Sequence, residues 1–185
     1  ENGSARMVVT DSVAAGAGNV VYGLEAHRNR GPWETPEDLR KYSATVRYVH
    51  GGRDDGFSVT AMAYRNTWNA TDQVPLRAVA GGQLGRFDGI DDSDGGATSR
   101  YSLSWALRKR GAGSLTEVDA YAVASSLDLY SNFTYFLDNP EQGDQFTQSE
   151  RRRMAGLNAA HSWTGSVNGL AVRNKVGLQA RADRI

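Results

Sequence analysis

Apolar residues alternate with polar or small residues along most of this chain. In the clearest segment, 101–108, Tyr101, Leu103, Trp105 and Leu107 lie at every second position. Successive side chains of a β-strand point to opposite faces, so this alternation predicts a strand with one apolar face. Similar alternation recurs in segments that begin near Ala5, Val20, Tyr42, Phe57, Thr116, Ala155 and Leu170. The sequence therefore predicts about eight strands and no convincing helix.

The longest alternating segment is 116–133. Its apolar residues of one parity, which indicate an apolar face there, are Tyr121, Val123, Leu127 and Leu129.

The connections between these segments alternate in length. The short ones are predicted at 14–19, 51–56, 110–114 and 164–169, and the long ones at 29–39, 67–99 and 137–149. The last short connection contains Asn168-Gly169, a dipeptide suited to a tight hairpin because both residues tolerate positive φ. All short turns would lie at one end of the sheet and all long loops at the other. This asymmetry is typical of outer-membrane barrels.

Composition and charge exclude several classes of protein. The chain has 185 residues, 39% of them hydrophobic, and a mean hydropathy of -0.53. It has no apolar run of about 18 residues, which argues against a transmembrane helix. The 21 Lys and Arg balance the 21 Asp and Glu, so no net charge draws it to nucleic acid. The absence of cysteine excludes disulfide scaffolds, Cys-ligated zinc and thiol nucleophiles.

A transmembrane β-barrel remains compatible with these values, because only one face of each strand must be apolar. The predicted fold class is all-β: an antiparallel transmembrane β-barrel segment of meandering strands, with short periplasmic turns and long extracellular loops. Aromatic residues near strand ends would suit interfacial girdles. They are Tyr48, Tyr64, Trp68, Trp163, Tyr130 and Tyr135.

Several motifs carry a family resemblance. They are Asn66–Val79 (NTWNATDQVPLRAV), Asp94–Ser104 (DGGATSRYSLS), Leu129–Asp138 (LYSNFTYFLD), Gly31–Leu39 (GPWETPEDL) and Asn174–Arg181 (NKVGLQAR). Together they resemble proteobacterial TonB-dependent outer-membrane receptors, over nearly the whole chain.

The resemblance implies a wide barrel of about 22 strands with a plug in its lumen. Such receptors import scarce nutrients, driven by the TonB complex. We expect residues 1–185 to be an internal part of one outer-membrane barrel domain, without a plug or a TonB box. The expected role is uptake of a nutrient such as an iron–siderophore complex. The expected partners are the plug domain, TonB, outer-membrane lipid and lipopolysaccharide, with no enzymatic activity, no cofactor and no nucleic acid.

Two sets of residues are candidate binding sites. Clustered carboxylates in the longest loop can bind Ca²⁺, although their spacing is not that of an EF-hand and a solvated acidic loop is the alternative. These carboxylates are Asp88, Asp91, Asp92 and Asp94. Basic residues within strands are affordable if they face a wet lumen, where they would attract an anionic cargo or pair across strands. These residues are Arg47, Arg173, Lys175 and Arg181.

Two further features have weaker functional interpretations. The run Arg151-Arg152-Arg153 would contact lipopolysaccharide phosphates or simply keep a loop soluble. The histidines, His27, His50 and His161, lie in different strands without a metal-binding spacing.

Two other protein classes stay open at this point. A complete small eight-stranded outer-membrane barrel requires its first and last strands to pair. A soluble β-sandwich binding module would dissolve as a monomer without detergent.

Overall fold

The computed structural model describes residues 3–71 and 73–185 and contains one antiparallel sheet of eight strands in chain order. The strands are β1 (Ala5–Ala15), β2 (Gly18–Asn29), β3 (Leu39–Gly51), β4 (Gly56–Asn69), β5 (Gly95–Gly111), β6 (Ser114–Ser131), β7 (Phe146–Val167) and β8 (Leu170–Arg184). The predicted all-β meander is confirmed. Asp72, within the predicted loop 67–99, lies outside the described residues.

The register divides the sheet into two chemically different faces. Directly opposed residues of neighbouring strands share a face. The apolar face carries the even residues of β2, β3, β6 and β8 and the odd residues of β1, β4, β5 and β7. One row of opposed residues crosses it through Tyr48, Val59, Trp105, Ala120, Leu157 and Ala180. The opposite parity forms the polar face.

The connections sort by length as predicted. Short turns at 16–17, 52–55, 112–113 and 168–169 define the turn end of the sheet. Asn168 and Gly169 have φ of 51° and 77°, the positive values that a type I′ hairpin turn requires. The long loops at 30–38, 70–94 and 132–145 define the loop end.

The strands reach further into the predicted loops than the sequence indicated. β4 and β5 extend to Asn69 and Gly95, and β7 begins at Phe146. The longest loop also contains a short helix, α1 (Leu76–Ala80), which the sequence analysis did not predict. Pro75 precedes it, at a position where the missing backbone N–H costs nothing. No helix of the described residues has the length and apolar character needed to cross a membrane.

The sheet has no hydrophobic core of its own. Among the described residues no hydrophobic side chain is buried, and Leu103 and Leu178 are 54% and 62% exposed. The accessible surface is 12783 Å², whereas a compact monomer of this mass exposes about 8,700 Å². β1 and β8 each pair with one neighbour and not with each other, so the sheet is open.

The register corrects two expectations about single side chains. Tyr121, Val123, Leu127 and Leu129 lie on the polar face, because β6 directs its even residues to the apolar face. Those even residues are small and lie opposite large ones: Ala120 faces Trp105 and Ala124 faces Tyr101. Two of the predicted girdle residues, Tyr64 and Trp68, also lie on the polar face, and a third, Tyr135, lies in a loop.

The ring of Tyr121 covers Gly156 on the neighbouring strand. A methyl group added at Gly156 should therefore lower the stability of the protein. A Cβ at Gly156 would lie 2.4 Å from this ring, whereas a Cβ at Gly165 meets nothing within 4 Å. Gly156→Ala should displace the ring and lower the free energy of unfolding by about 1–2 kcal/mol. The measurement is urea unfolding of the complete gene product in detergent micelles.

The matched control is Gly165→Ala in the same strand. It should leave stability unchanged or raise it slightly, because alanine restricts the unfolded chain. Equal effects of the two substitutions would show that Tyr121 does not pack on Gly156.

Candidate functional site

Ion pairs organise the polar face, and each of its best-paired carboxylates is shared by two cations. Glu25 Oε1 lies 2.8 Å from Arg6 Nε and 2.9 Å from Lys41 Nζ. The strands β1, β2 and β3 are thus bridged by side chains as well as by their backbone.

The same arrangement recurs at the other edge of the sheet. Glu117 lies 3.5 Å from both Arg108 and Lys175. Asp183 pairs with Arg152, and its contact with Arg181 is 2.9 Å. Charges on the polar face are therefore largely compensated within the sheet.

All the basic residues singled out as cargo-binding candidates lie on the polar face. Lys175 and Arg181 are held in the ion pairs just described, and Arg47 donates to Ser58 Oγ at 3.3 Å. Arg173 lies opposite Thr164 on β7. Because Arg47 is on β3 and the others are on β8, the structure does not bring the set together in one site.

The loops at 30–38, 70–94 and 132–145 contact one another and form what we call the loop cluster. Trp33 packs edge-on against Phe87 with ring centroids 5.9 Å apart, and Glu34 N–H donates to the carbonyl of Phe87 at 3.1 Å. Thr35 Oγ1 donates to Asp92 Oδ1 at 2.6 Å. The first two loops are thereby joined at several points.

Asp91 and Asn132 join the second loop to the third. Asn132 is 2% exposed, and its side-chain amide donates to Asp91 Oδ2 at 2.7 Å. Its carbonyl Oδ1 accepts the N–H of Tyr135 at 2.8 Å, and the Tyr135 hydroxyl donates to the carbonyl of Gln73 at 2.9 Å. Tyr135 has a φ of 61°, so these contacts hold a left-handed backbone position.

The electrostatics of Asp91 favour its charged form. Partial burial acts to raise the pKa of Asp91, but hydrogen bonds from Ser93 and Asn132 outweigh it and place the pKa below the ordinary 3.8. The contact with the Ser93 hydroxyl is 2.5 Å and that with its N–H is 2.9 Å.

Asp144 closes the third loop on itself. Its carboxylate accepts the backbone N–H groups of Leu137, Asp138 and Asn139 at 2.8, 3.0 and 2.7 Å. These donors, led by the N–H of Asp138, lower the pKa of Asp144 below 3.8. The negative charge is therefore part of the loop's structure.

The carboxylates predicted to bind Ca²⁺ each accept a hydrogen bond from the protein. Asp88 accepts Gly85 N–H at 2.6 Å, Asp91 and Asp92 bind the residues named above, and Asp94 accepts from Gln145 at 3.1 Å. Within residues 3–71 and 73–185, no three His, Asp or Glu side chains converge as metal ligands. The arrangement serves to join loops.

The histidines also lie apart. His27 is on the polar face, and His50 and His161 are on the apolar face of different strands. His161 shares a hydrogen bond of 2.9 Å with Thr116 Oγ1 and stacks on Trp163 with centroids 5.7 Å apart.

Sequence analysis missed a set of arginines on the apolar face near the loop end. Arg28 lies directly opposite Arg40, and Arg153 lies directly opposite Arg184. Of the run 151–153, Arg151 and Arg153 are on this face, whereas Arg152 is on the polar face with Asp183. The positive charge was visible in each strand, but the pairing depends on the register.

Comparison of the chain with models of known protein families, with curated proteins and with solved structures finds no match.

The buried amide of Asn132 predicts that its removal loosens the loop cluster. Asn132→Ala removes the donor to Asp91 Oδ2 and the acceptor of the Tyr135 N–H, a loss of about 1–3 kcal/mol in the local free energy of opening. Limited proteolysis within residues 70–94 should accelerate at least severalfold. Asn139→Ala is the control, because the Asn139 side chain accepts the N–H of Gln142 within its own loop. Equal cleavage rates in both variants would show that Asn132 does not hold the second and third loops together.

The lowered pKa values of Asp91 and Asp144 predict acid sensitivity of the loops. A carboxylate whose pKa is lower in the folded state stabilises fully above its unfolded pKa and loses this effect as the pH falls through the folded value. Hydrogen exchange of residues 132–145, corrected for intrinsic rates, should be constant from about pH 5 to 8 and rise below about pH 4. Asp144→Asn should remove most of that rise. Loosening at alkaline pH instead would contradict this assignment.

Proposed function

We propose that this chain forms part of the wall of an outer-membrane β-barrel of the TonB-dependent receptor type and serves in uptake of a small nutrient such as a ferric siderophore. The observation that supports this most strongly is the single-layer sheet. One of its faces is apolar and uncovered, and the other is polar and internally paired. Lipid outside and a wet lumen inside account for both faces.

The uncovered area is too large for an ordinary soluble monomer. The largest apolar patch of such a protein is about 300–600 Å². Here the total accessible surface, polar and apolar together, exceeds that of a compact chain by about 4,000 Å², and exposed apolar residues of every strand contribute to this excess. A bilayer covers such a face without any further protein layer.

The strands have the length that a membrane requires. Spanning takes about 9–11 residues of tilted strand. The shortest strand, β1, has 11 residues and the longest, β7, has 22. Tyr42 and Tyr48 lie about 20 Å apart along β3, with Ala44 and Val46 between them on the apolar face.

The open edges favour a segment of a wide barrel over a complete small one. β1 and β8 do not pair with each other. Unpaired backbone N–H and C=O groups at a sheet edge are costly in lipid. In a membrane, β1 and β8 would therefore each need a further strand to pair with. A soluble β-sandwich would need a second sheet, and the described residues form only one.

The uptake role rests on the polar face, the loop cluster and the family resemblance of motifs such as Asn66–Val79. A lumen lined by paired charges, with the loop cluster at its loop end, is suited to bind a polar cargo. The plug domain and TonB are the partners this role requires. Arg47 and Arg173, which no ion pair found in the described residues includes, are the candidates to meet an anionic cargo.

Lipid exposure of the apolar face can be measured position by position, because the chain has no cysteine. Single cysteines are introduced at 101–107 in the complete gene product, which is spin-labelled and reconstituted in phospholipid vesicles. Spin labels at odd positions should collide mainly with oxygen dissolved in the bilayer. Labels at even positions should collide mainly with a water-soluble nickel chelate. This period of two follows from the register of β5.

A matched pair within this series is Leu103→Cys and Ser104→Cys. If both positions report the same environment, or if Leu103→Cys is shielded from both collision partners as in a protein core, the membrane assignment is wrong.

A further inference from the structure

Two cationic grooves open on the polar face at the turn end, one on each side of the end of β5. The first has a volume of about 340 Å³ and is bordered by Arg47, Arg53 and Arg108. The second has a volume of about 280 Å³ and is bordered by Arg110 and Arg173. Among the described residues, no Asp or Glu lines either groove. Both volumes suit a small ligand, since small-molecule sites begin at about 300 Å³.

The positive charge of these grooves is only partly compensated. None of the ion pairs found in the described residues includes Arg47, Arg53 or Arg173. The remaining arginine of the first groove lies 3.5 Å from Glu117, which Lys175 also contacts. Like charges held close together repel one another, so an anion from outside the strands would stabilise this end of the polar face.

A buried serine borders each groove. Ser58 is 8% exposed and Ser162 is 5% exposed, and both are among the few buried polar residues of the described part of the chain. Arg47 donates to Ser58 Oγ at 3.3 Å, which leaves most N–H groups of its guanidinium for a ligand. A hydroxyl that accepts from arginine still has its own proton to donate. Each groove therefore offers charged N–H donors together with a hydroxyl.

This set of donors favours a tetrahedral oxyanion over a planar one. A single guanidinium fork is enough to pair with both oxygens of a carboxylate. A phosphate ester carries three strong acceptor oxygens and a charge between about −1.5 and −2. It can therefore accept hydrogen bonds from several arginines and a serine hydroxyl at the same time.

We propose that the two grooves bind phosphate, which the cargo carries either as the free ion or as an ester. In the first groove Arg47, Arg53 and Arg108 hold the phosphate oxygens and Ser58 donates to one of them. Arg173 has the corresponding role in the second groove. This inference rests on the proposed function, because it takes the polar face as the wall of a lumen. It adds a substrate class and places binding at the opposite end of the lumen from the loop cluster.

The test is isothermal titration calorimetry of the complete gene product, in a neutral detergent, with glycerol 3-phosphate. Arg47→Gln/Arg173→Gln, which removes one arginine from each groove, should weaken binding at least tenfold. Ser58→Ala should weaken binding to the first groove severalfold without any change of charge. Added salt should also weaken binding.

The matched control is Arg6→Gln/Arg100→Gln, which removes two arginines of the polar face that border neither groove. It should change binding less than twofold. Unchanged binding in Arg47→Gln/Arg173→Gln, or an equal loss in the control, would overturn the inference.

Two further probes identify the ligand. Binding of inorganic phosphate as tight as that of glycerol 3-phosphate would assign the free ion, and weaker binding would assign an ester. Tighter binding of citrate than of either would overturn the phosphate assignment. No binding of any probe, as expected if acidic side chains elsewhere in the gene product fill the grooves, would overturn the inference.

Failure of this inference is distinguishable from failure of the proposed function. Spin labels at 101–107 that meet lipid on one face and water on the other, in a protein that does not bind phosphate, would refute this inference alone. An apolar face that is shielded from lipid would refute the proposed function.

Discussion

Every strand of the sheet directs apolar side chains to a face that no other described part of the chain covers. In an aqueous protein this exposure would oppose folding, because burial of apolar surface is its main driving force. The remaining features depend on how that face is covered. If lipid covers it, the absence of a core, the length of strands such as β7 and the interfacial placement of Tyr48 and Trp163 follow from one cause.

The polar face meets the complementary requirement. Cations inside a membrane wall are tolerated when they pair or meet water, and the shared carboxylates Glu25, Glu117 and Asp183 supply the partners. The loops complete the arrangement at one end, where the buried contact between Asp91 and Asn132 replaces a hydrophobic core. Charge thus stabilises those parts that apolar packing does not reach.

Much of the fold was predictable, because alternation with period two and turn chemistry are local properties. Asn168-Gly169 determined both a turn type and, through it, the register of β7 against β8. The faces of β6 were assigned wrongly because its large residues, such as Tyr121, have the parity opposite to its small alanines. Long-range contacts were beyond reach. The hydrogen bond between Asp91 and Asn132 joins two loops that are far apart in the sequence, and neither loop sequence indicates it. The same holds for Arg28 and Arg40, which are directly opposed only because of the register of β2 and β3.

The most direct measurement of the central claim is quenching of tryptophan fluorescence by brominated acyl chains. Variants of the complete gene product that each retain one tryptophan are reconstituted in brominated phospholipid vesicles. Trp105 and Trp163 lie on the apolar face and Trp68 on the polar face. Lipid coverage predicts strong quenching of the first two and little of Trp68. Equal quenching of Trp105 and Trp68, or none of Trp105, would contradict it.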